Sequence, residues 1–222
     1  MRQFDDLTYV HSVNVALIAS ILGQWLKFSE KDIRILTISG LLHDIGKIMI
    51  PNEILTKPGK LTVAEYNIMK QHVNFGYEKV KNQNIDIRIK EACLLHHEKC
   101  DGTGYPFGLK SDHITAVAKI IAIADVYDAM TSARVYRGAL CPFEVIDTMY
   151  KDAFTKFEPE YILPFLKNVA SSYINNDVRL SDGRIGKVVL INENALSLPI
   201  VQCEDEFIDL SKTRGLTVSA IL

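Results

Sequence analysis

Side chains of the kind that bind metal ions recur along this chain at positions inside or beside helical patterns. In chain order they are His11, His43, Asp44, His72, His96, His97 and Asp125. Of the six histidines, only His113 falls outside this set. Imidazole and carboxylate ligands that converge from several helices are what a two-metal centre requires. The pattern therefore predicts a metal centre at the meeting point of these helices.

The adjacent pair His43 and Asp44 indicates what chemistry such a centre would perform. On a helix, neighbouring side chains diverge by roughly 100°, so the two can reach one metal or two neighbouring metals. A carboxylate can bridge two cations while imidazoles fill the outer positions. Two metals about 3.5–4 Å apart stabilise the attacking and leaving oxygens of an in-line displacement at phosphorus. A lone His-Asp dipeptide would be unremarkable, but its place in the ordered set favours a metal-binding role, and two such metals could support attack at phosphorus.

Helical periodicity and capping signals predict the elements that must position these residues. Thr62 and Glu65 form a capping box, and a segment with three glycines and a proline, residues 99–108, predicts a shaped loop. The predicted helices cover residues 8–27, about 29–45, 62–72, about 86–98 and 114–131, with two more that begin near Pro142 and Pro159. These elements predict a mainly α fold, a helical bundle over residues 1–175.

The pattern changes after about Asn176, where short apolar runs alternate with tight-turn signals. The predicted strands cover residues 178–180, 185–191, 196–201 and 207–210. A small β meander would be marginal alone, so we expect it to pack on the helices. The sequence thus predicts a C-terminal β appendage over residues 176–222.

Bulk properties exclude several classes of function. The formal charge of −2 gives no general field for a nucleic-acid polymer. No apolar run approaches the roughly 20 residues that span a bilayer, and the first residues lack the apolar core of a signal peptide. We therefore expect a cytoplasmic protein without a membrane segment. The four cysteines show no C-x-x-C spacing, which favours reduced thiols over a zinc ribbon or redox pair.

Several ordered motifs resemble a known family. Residues 41–48 read LLHDIGKI, residues 101–106 read DGTGYP and residues 124–132 read ADVYDAMTS, with related patterns at residues 50–59 and 96–98. Together they resemble the HD-GYP subgroup of the HD-domain metal phosphohydrolases. The resemblance covers about residues 8–170 and implies an HD-domain helical bundle.

The resemblance implies a cyclic di-GMP phosphodiesterase with two divalent metal ions, Fe or Mn. Its product would be pGpG, with further cleavage to GMP left open. Carried over position by position, the ligands would be His11, His43, Asp44, His72, His96, His97 and Asp125. Asp44 would bridge the two metals. One metal would be held by His11, His43 and Asp125, and the second by the other three histidines.

Five further residues are candidates for contact with the substrate, each beside a plainer interpretation. Lys47 could neutralise a phosphate oxygen or be a solvated helix-end lysine. Arg134 and Arg137 could bind phosphate or a guanine edge, or form surface ion pairs. Asp128 could contact substrate, orient a ligating histidine or cap a helix. Tyr105, of the Gly-Tyr-Pro segment, could stack on substrate or only shape its loop.

One departure from the family limits the metal count. A subset of the family has a carboxylate one turn before the first histidine that helps to bind a third metal, whereas this chain has Leu7 there. We therefore expect a binuclear centre.

Two other readings of function stay open at this point. The chain could be a cyclic-dinucleotide receptor or interaction module with slow or no turnover, or a hydrolase of another nucleotide. It could also be a stand-alone enzyme or the catalytic fragment of a longer signalling protein. A signalling protein docked on the Gly-Tyr-Pro loop and a second copy of the chain are further partners that the sequence leaves open.

Overall fold

Helices make up most of the computed structural model, which describes the backbone of residues 2–132 and 140–222 and the side chains of residues 8–132 and 140–222. The helices are α1 (Arg2–Trp25), α2 (Glu30–Leu42), α3 (Asn52–Leu55), α4 (Val63–Met69), α5 (His72–Val80), α6 (Ile87–Leu95), α7 (Ala116–Thr131), α8 (Pro142–Asp152) and α9 (Pro159–Ser172). Helix α1 packs against both α2 and α7, and α6 packs against α2, α5 and α7. Within the described stretches, no helix is long and apolar enough to cross a bilayer.

Side-chain caps fix where several of these helices begin. The Ser29 hydroxyl accepts from the Asp32 N–H at the start of α2. Thr62 and Glu65 form the predicted capping box of α4, in which each side chain binds the other residue's backbone N–H. Such caps satisfy N–H groups that have no partner within the helix. The helix starts near residues 30, 63, 142 and 159 thus agree with the prediction.

The predicted helix ends agree less well. The prediction of a single helix over residues 62–72 is wrong: α4 ends at Met69 and α5 begins at His72. The Gln71 N–H donates to the Ile68 carbonyl, three residues back, so a tight turn interrupts the helical series. Helix α2 ends at Leu42, followed by a 3-10 turn, Ile45–Met49, and α6 ends at Leu95. The His-Asp and His-His pairs therefore lie at helix ends and not inside helices.

The C-terminal segment forms a five-stranded antiparallel sheet. Its strands are β1 (Asp177–Leu180), β2 (Ile185–Leu190), β3 (Ile200–Cys203), β4 (Glu206–Asp209) and β5 (Val218–Ile221), in the spatial order β4-β3-β2-β1-β5. The first four strands are the predicted meander, although β3 begins later than expected. Strand β5 was not predicted; it pairs with the open edge of β1.

One hydrophobic core joins the sheet to the helices. Buried Val178 and Leu180 of β1 belong to the same cluster as Phe143, Ile146 and Phe165 of α8 and α9. This arrangement agrees with the expectation that the sheet packs on the helices. The predicted fold class, a mainly α bundle with a small C-terminal sheet, is confirmed. The boundary at residues 175 and 176 stays a prediction.

Candidate metal centre

The predicted ligands come from five separate elements and meet at one place. His11 lies in α1 and Asp125 in α7; the remaining ligands lie at element ends, with His43 and Asp44 after α2, His72 at the start of α5, and His96 and His97 after α6. Their candidate ligand atoms fall into two groups, within each of which all atoms lie within 4.8 Å of one another. The groups are Asp44, His72, His96 and His97, and His11, His43 and Asp125.

Asp44 faces both groups, with a different oxygen towards each. Its Oδ2 lies 3.2 Å from His43 Nε2 and 3.6 Å from His11 Nε2. Its Oδ1 lies 3.3 Å from His72 Nε2 and 3.9 Å from His96 Nε2. A carboxylate in this position can bind one cation through each oxygen.

Asp125 adds a second carboxylate between the groups. Its Oδ1 lies 3.0 Å from His11 Nε2 and 4.0 Å from His43 Nε2. Its Oδ2 lies 3.8 Å from His97 Nδ1. The site is therefore a continuous cluster of imidazoles around two carboxylates.

Hydrogen bonds on the outer side of four histidines turn their Nε2 atoms inward. The Nδ1 atoms of His43, His72 and His96 lie 2.7, 2.8 and 2.9 Å from the carbonyl oxygens of residues 40, 69 and 92. A carbonyl oxygen can only accept, so Nδ1 carries the proton and Nε2 presents a lone pair to the cluster. His11 Nδ1 lies 2.6 Å from Asp128 Oδ2. This is the ring orientation that metal-binding histidines adopt.

Three polar atoms in the middle of the cluster lack hydrogen-bond partners. Among the described residues, the buried side-chain atoms without a partner are His11 Nε2, His43 Nε2, Asp44 Oδ1 and Ser39 Oγ. Three of the four are predicted ligand atoms. An unpaired buried polar atom is costly, and coordination of a cation would remove that cost. The donor set and its unpaired atoms therefore fit a divalent metal.

Burial and charge set the protonation of most of these groups to suit a cation. Burial lowers the pKa of His97 to about 4 and also lowers those of His72 and His96. Burial opposes ionisation of Asp44, but the charge of Lys47 and the adjacent imidazole of His43 hold its pKa well below the usual range. Neutral imidazoles and an ionised carboxylate are the forms that bind metals.

His11 is the exception among the histidines. Burial lowers its pKa, but the carboxylates of Asp125 and Asp128, which face its two ring nitrogens, outweigh that effect and raise the pKa to about 9. A metal at Nε2 would have to displace the proton that these carboxylates favour.

The candidate substrate residues lie in different settings. Lys47 pairs with Asp44 Oδ2 and is 23% exposed at its side chain. Tyr105 lies over the cluster, its ring stacked on that of His97 with centroids 4.7 Å apart. Arg134 and Arg137 lie outside the described residues, and so does the side chain of Leu7.

Asp128 is placed to orient His11. It is buried, and Oδ2 faces His11 while Oδ1 accepts from Asn14 and Ser132 at 2.9 Å each. With both oxygens occupied, this geometry favours the partner role over contact with substrate. Asn14, one turn after His11, was missed in the sequence; its i+3 spacing was the available signal.

We expect Asp128→Asn to weaken metal binding at the group that contains His11 by roughly tenfold, because loss of a carboxylate that orients a ligating histidine typically costs 10–100-fold. Competition titration with a metal-sensitive chelator dye would measure this. Asp147→Asn is the control, because Asp147 is a half-exposed carboxylate on α8 that pairs with Lys151 and lies outside the cluster. Equal affinity in the two variants would contradict the role of Asp128.

Glu98 is a second residue whose importance the sequence did not reveal. It is buried, and its carboxylate accepts the backbone N–H groups of Phe107 and Leu109 at 2.7 and 2.9 Å. Its place in the motif of residues 96–98 and its position before a glycine-rich loop were the available signals.

The helical bundle thus brings together a His/Asp cluster whose ligand atoms could hold divalent cations. The HD-domain family profile matches residues 5–161. The chain belongs to the HD-domain family, and the predicted resemblance to its HD-GYP group is confirmed.

Two relatives and one solved structure illustrate the similarity. The chain is 36% identical over 203 residues to a cyclic di-GMP phosphodiesterase of Pseudomonas aeruginosa, and this alignment covers 91% of this chain and 49% of the relative. It is 40% identical over 155 residues to a cyclic di-GMP phosphodiesterase response regulator of Xanthomonas campestris pv. campestris, and this alignment covers 69% of this chain and 41% of the relative. The chain thus spans less than half the length of either.

The solved structure of an HDG"Y"P protein from Bdellovibrio bacteriovorus shares the fold. It aligns with a TM-score of 0.59 at 22% identity, over 71% of this chain and 50% of that one.

Proposed function

We propose that this chain is a metal-dependent phosphodiesterase that hydrolyses cyclic di-GMP to linear pGpG through a binuclear centre. The observation that carries the proposal is the position of Asp44, whose two oxygens face the two groups of histidines separately. The names of the two relatives support cyclic di-GMP as the substrate. Cytoplasmic location, a homodimer and a signalling partner at the Gly-Tyr-Pro loop stay predictions.

The residues divide into those that would hold the metals and those that would meet the nucleotide. His11, His43 and Asp125 would hold one cation, His72, His96 and His97 the other, and Asp44 would bridge. Two divalent cations, Fe or Mn by the family resemblance, would polarise the phosphate and stabilise negative charge on its oxygens.

Lys47 and Tyr105 are the described side chains best placed for the nucleotide. The ammonium of Lys47 lies beside the centre and is partly exposed, so it can approach a phosphate oxygen that gains charge in the transition state. The Tyr105 ring is partly exposed and can offer its other face, or its hydroxyl, to a base or sugar. Asp128 keeps the proton on His11 Nδ1, which leaves Nε2 directed at the centre.

We expect protein loaded anaerobically with Fe or Mn to convert cyclic di-GMP to pGpG, with two metal ions per chain. Chromatography of timed reactions would measure the products, and elemental analysis the metals. Metal-free protein is the control, and cyclic GMP-AMP and cyclic di-AMP test the preference among dinucleotides. Accumulation of GMP would show a second cleavage.

Binding of cyclic di-GMP without turnover by the metal-loaded protein would contradict the enzyme and support a receptor. Faster hydrolysis of another cyclic dinucleotide would contradict cyclic di-GMP as the substrate, but it would agree with metal-dependent phosphodiester hydrolysis. Three fully occupied metals would contradict the binuclear centre that Leu7 predicts.

A further inference from the structure

The buried carboxylate of Glu98 hydrogen-bonds the loop that follows the His96-His97 pair and holds it beside the metal centre. Glu98 is only 4% exposed. Its Oε1 accepts the Phe107 N–H at 2.7 Å, and its Oε2 accepts the Leu109 N–H at 2.9 Å. Hydrogen bonds to an ionised acceptor are about twice as strong as neutral ones. One side chain thus holds the far end of the loop at two points.

The middle of the same loop rests directly on the turn that carries the ligands. The Tyr105 N–H donates to the His97 carbonyl at 3.2 Å. Gly104 leaves no room for a side chain: a Cβ there would lie 2.5 Å from Glu98 Cα, His97 O and Lys99 N. The backbone of the loop therefore has little freedom to rise from the centre while Glu98 holds its end.

The course of the loop backbone places the Tyr105 ring against the histidines of the metal centre. The ring lies nearly parallel to the His97 imidazole, with an interplanar angle of 28°. It meets the His72 ring edge-on at 6.4 Å, and Lys70 Nζ lies 5.9 Å from its centroid. Tyr105 therefore covers the histidine group that would hold the second metal.

We propose that Glu98 is a positioning residue, which acts by holding the loop so that Tyr105 stays stacked on His97. Its effect on catalysis, which rests on the proposed function, is transmitted through Tyr105. The alternative is that Glu98 stabilises the fold without any specific effect on the stack.

Glu98→Gln separates the two roles, because an amide keeps one oxygen but presents an N–H₂ group to the second loop N–H. In the metal-free variant, we expect the Phe107 and Leu109 amides to exchange with solvent about tenfold faster. We also expect the His97 ring resonances, which the Tyr105 ring shifts in the parent, to move towards their positions in Tyr105→Leu. Glu98→Asp, which keeps the charge on a shorter stem, provides a second variant if the first does not fold.

Glu158→Gln is the matched control. Glu158 is a partly buried carboxylate close to the same loop, and it accepts from the side chains of Ser111 and Lys119 and not from the loop backbone that carries Tyr105. Its variant should leave the His97 resonances unchanged. Unchanged His97 resonances in both Glu98 variants would overturn the proposal.

The hydrolysis assay gives an independent check through a double-mutant cycle. We expect Glu98→Gln to lower kcat/KM about tenfold, and to lower it no further in a chain that already carries Tyr105→Leu. Additive losses would overturn transmission through Tyr105. If the parent chain hydrolyses no dinucleotide, the proposed function fails, whereas the amide exchange and His97 resonances still decide the role of Glu98.

Discussion

Asp44→Ala is expected to lower hydrolysis of cyclic di-GMP by at least about 1000-fold and to reduce metal content at both groups. Asp44 faces both groups of histidines closely, one with each oxygen, at 3.2 Å from His43 Nε2 and 3.3 Å from His72 Nε2. Asp125 approaches the second group less closely, with its Oδ2 3.8 Å from His97 Nδ1. A substitution that removes a single histidine would leave its own group weakened and the other group intact. Loss of Asp44 weakens both.

The expected size of the loss in activity follows from the position of the Asp44 carboxylate between the two groups of histidines. Loss of a residue that merely orients a ligand costs 10–100-fold in affinity or activity. Loss of the proposed shared ligand should cost more, because each cation would lose an anionic oxygen and the two would no longer be held at a fixed separation. The loss should appear in kcat as well as kcat/KM, since the charge that the metals stabilise develops in the transition state.

Asp112→Ala is the matched control for Asp44→Ala. Asp112 also adjoins a histidine, His113, but both side chains are exposed and neither belongs to the cluster. This variant should keep the metal content and rate of the parent. Elemental analysis and rate measurements on folded protein, verified by circular dichroism, would check both variants. A full complement of metal in Asp44→Ala would contradict the bridging role.

The cluster of candidate ligands could be predicted from sequence because metal ligands must be particular residue types. Seven histidines and aspartates in a fixed order across helical patterns resemble one known motif, and the structure brings those seven together. Helix starts were also predictable, since Ser29 and Thr62 cap by side-chain chemistry that is local in sequence. A cap that depends on residues three apart in sequence can be predicted without knowledge of the fold.

What could not be predicted depends on contacts between distant segments. The break between α4 and α5 places His72 at a helix start, although the sequence continues a helical pattern through it. Strand β5 forms because the edge of β1 is open to it, about 40 residues away in sequence. Which oxygen of Asp44 faces which histidine follows from the packing of the 3-10 turn against α5.

That packing contact predicts a second large effect: Gly46→Ala should lower the free energy of unfolding of the metal-free protein by about 3 kcal/mol. Gly46 lies in the 3-10 turn that follows Asp44. A Cβ there would lie 1.9 Å from the His72 carbonyl oxygen and 2.4 Å from the Gly76 nitrogen. Both are backbone atoms and cannot rotate away, so the turn and α5 must separate.

Gly76→Ala tests the same contact from the other side. A Cβ at Gly76 would meet Gly46 N at 3.4 Å and Ile45 Cγ2 at 3.5 Å, which are ordinary contacts. Gly76 lies inside α5, where alanine is favoured over glycine by up to about 1 kcal/mol. We therefore expect Gly76→Ala to be neutral or stabilising. Urea denaturation of both metal-free variants would measure the difference.

The two glycines also separate packing from metal binding. Separation of the turn from α5 would move Asp44 away from His72, so Gly46→Ala should bind metal more weakly even where it remains folded. Gly76→Ala should bind like the parent. If Gly46→Ala unfolds at the same urea concentration as Gly76→Ala, the close packing of the turn on α5 is wrong. The fixed spacing of Asp44 and His72 must then come from other contacts.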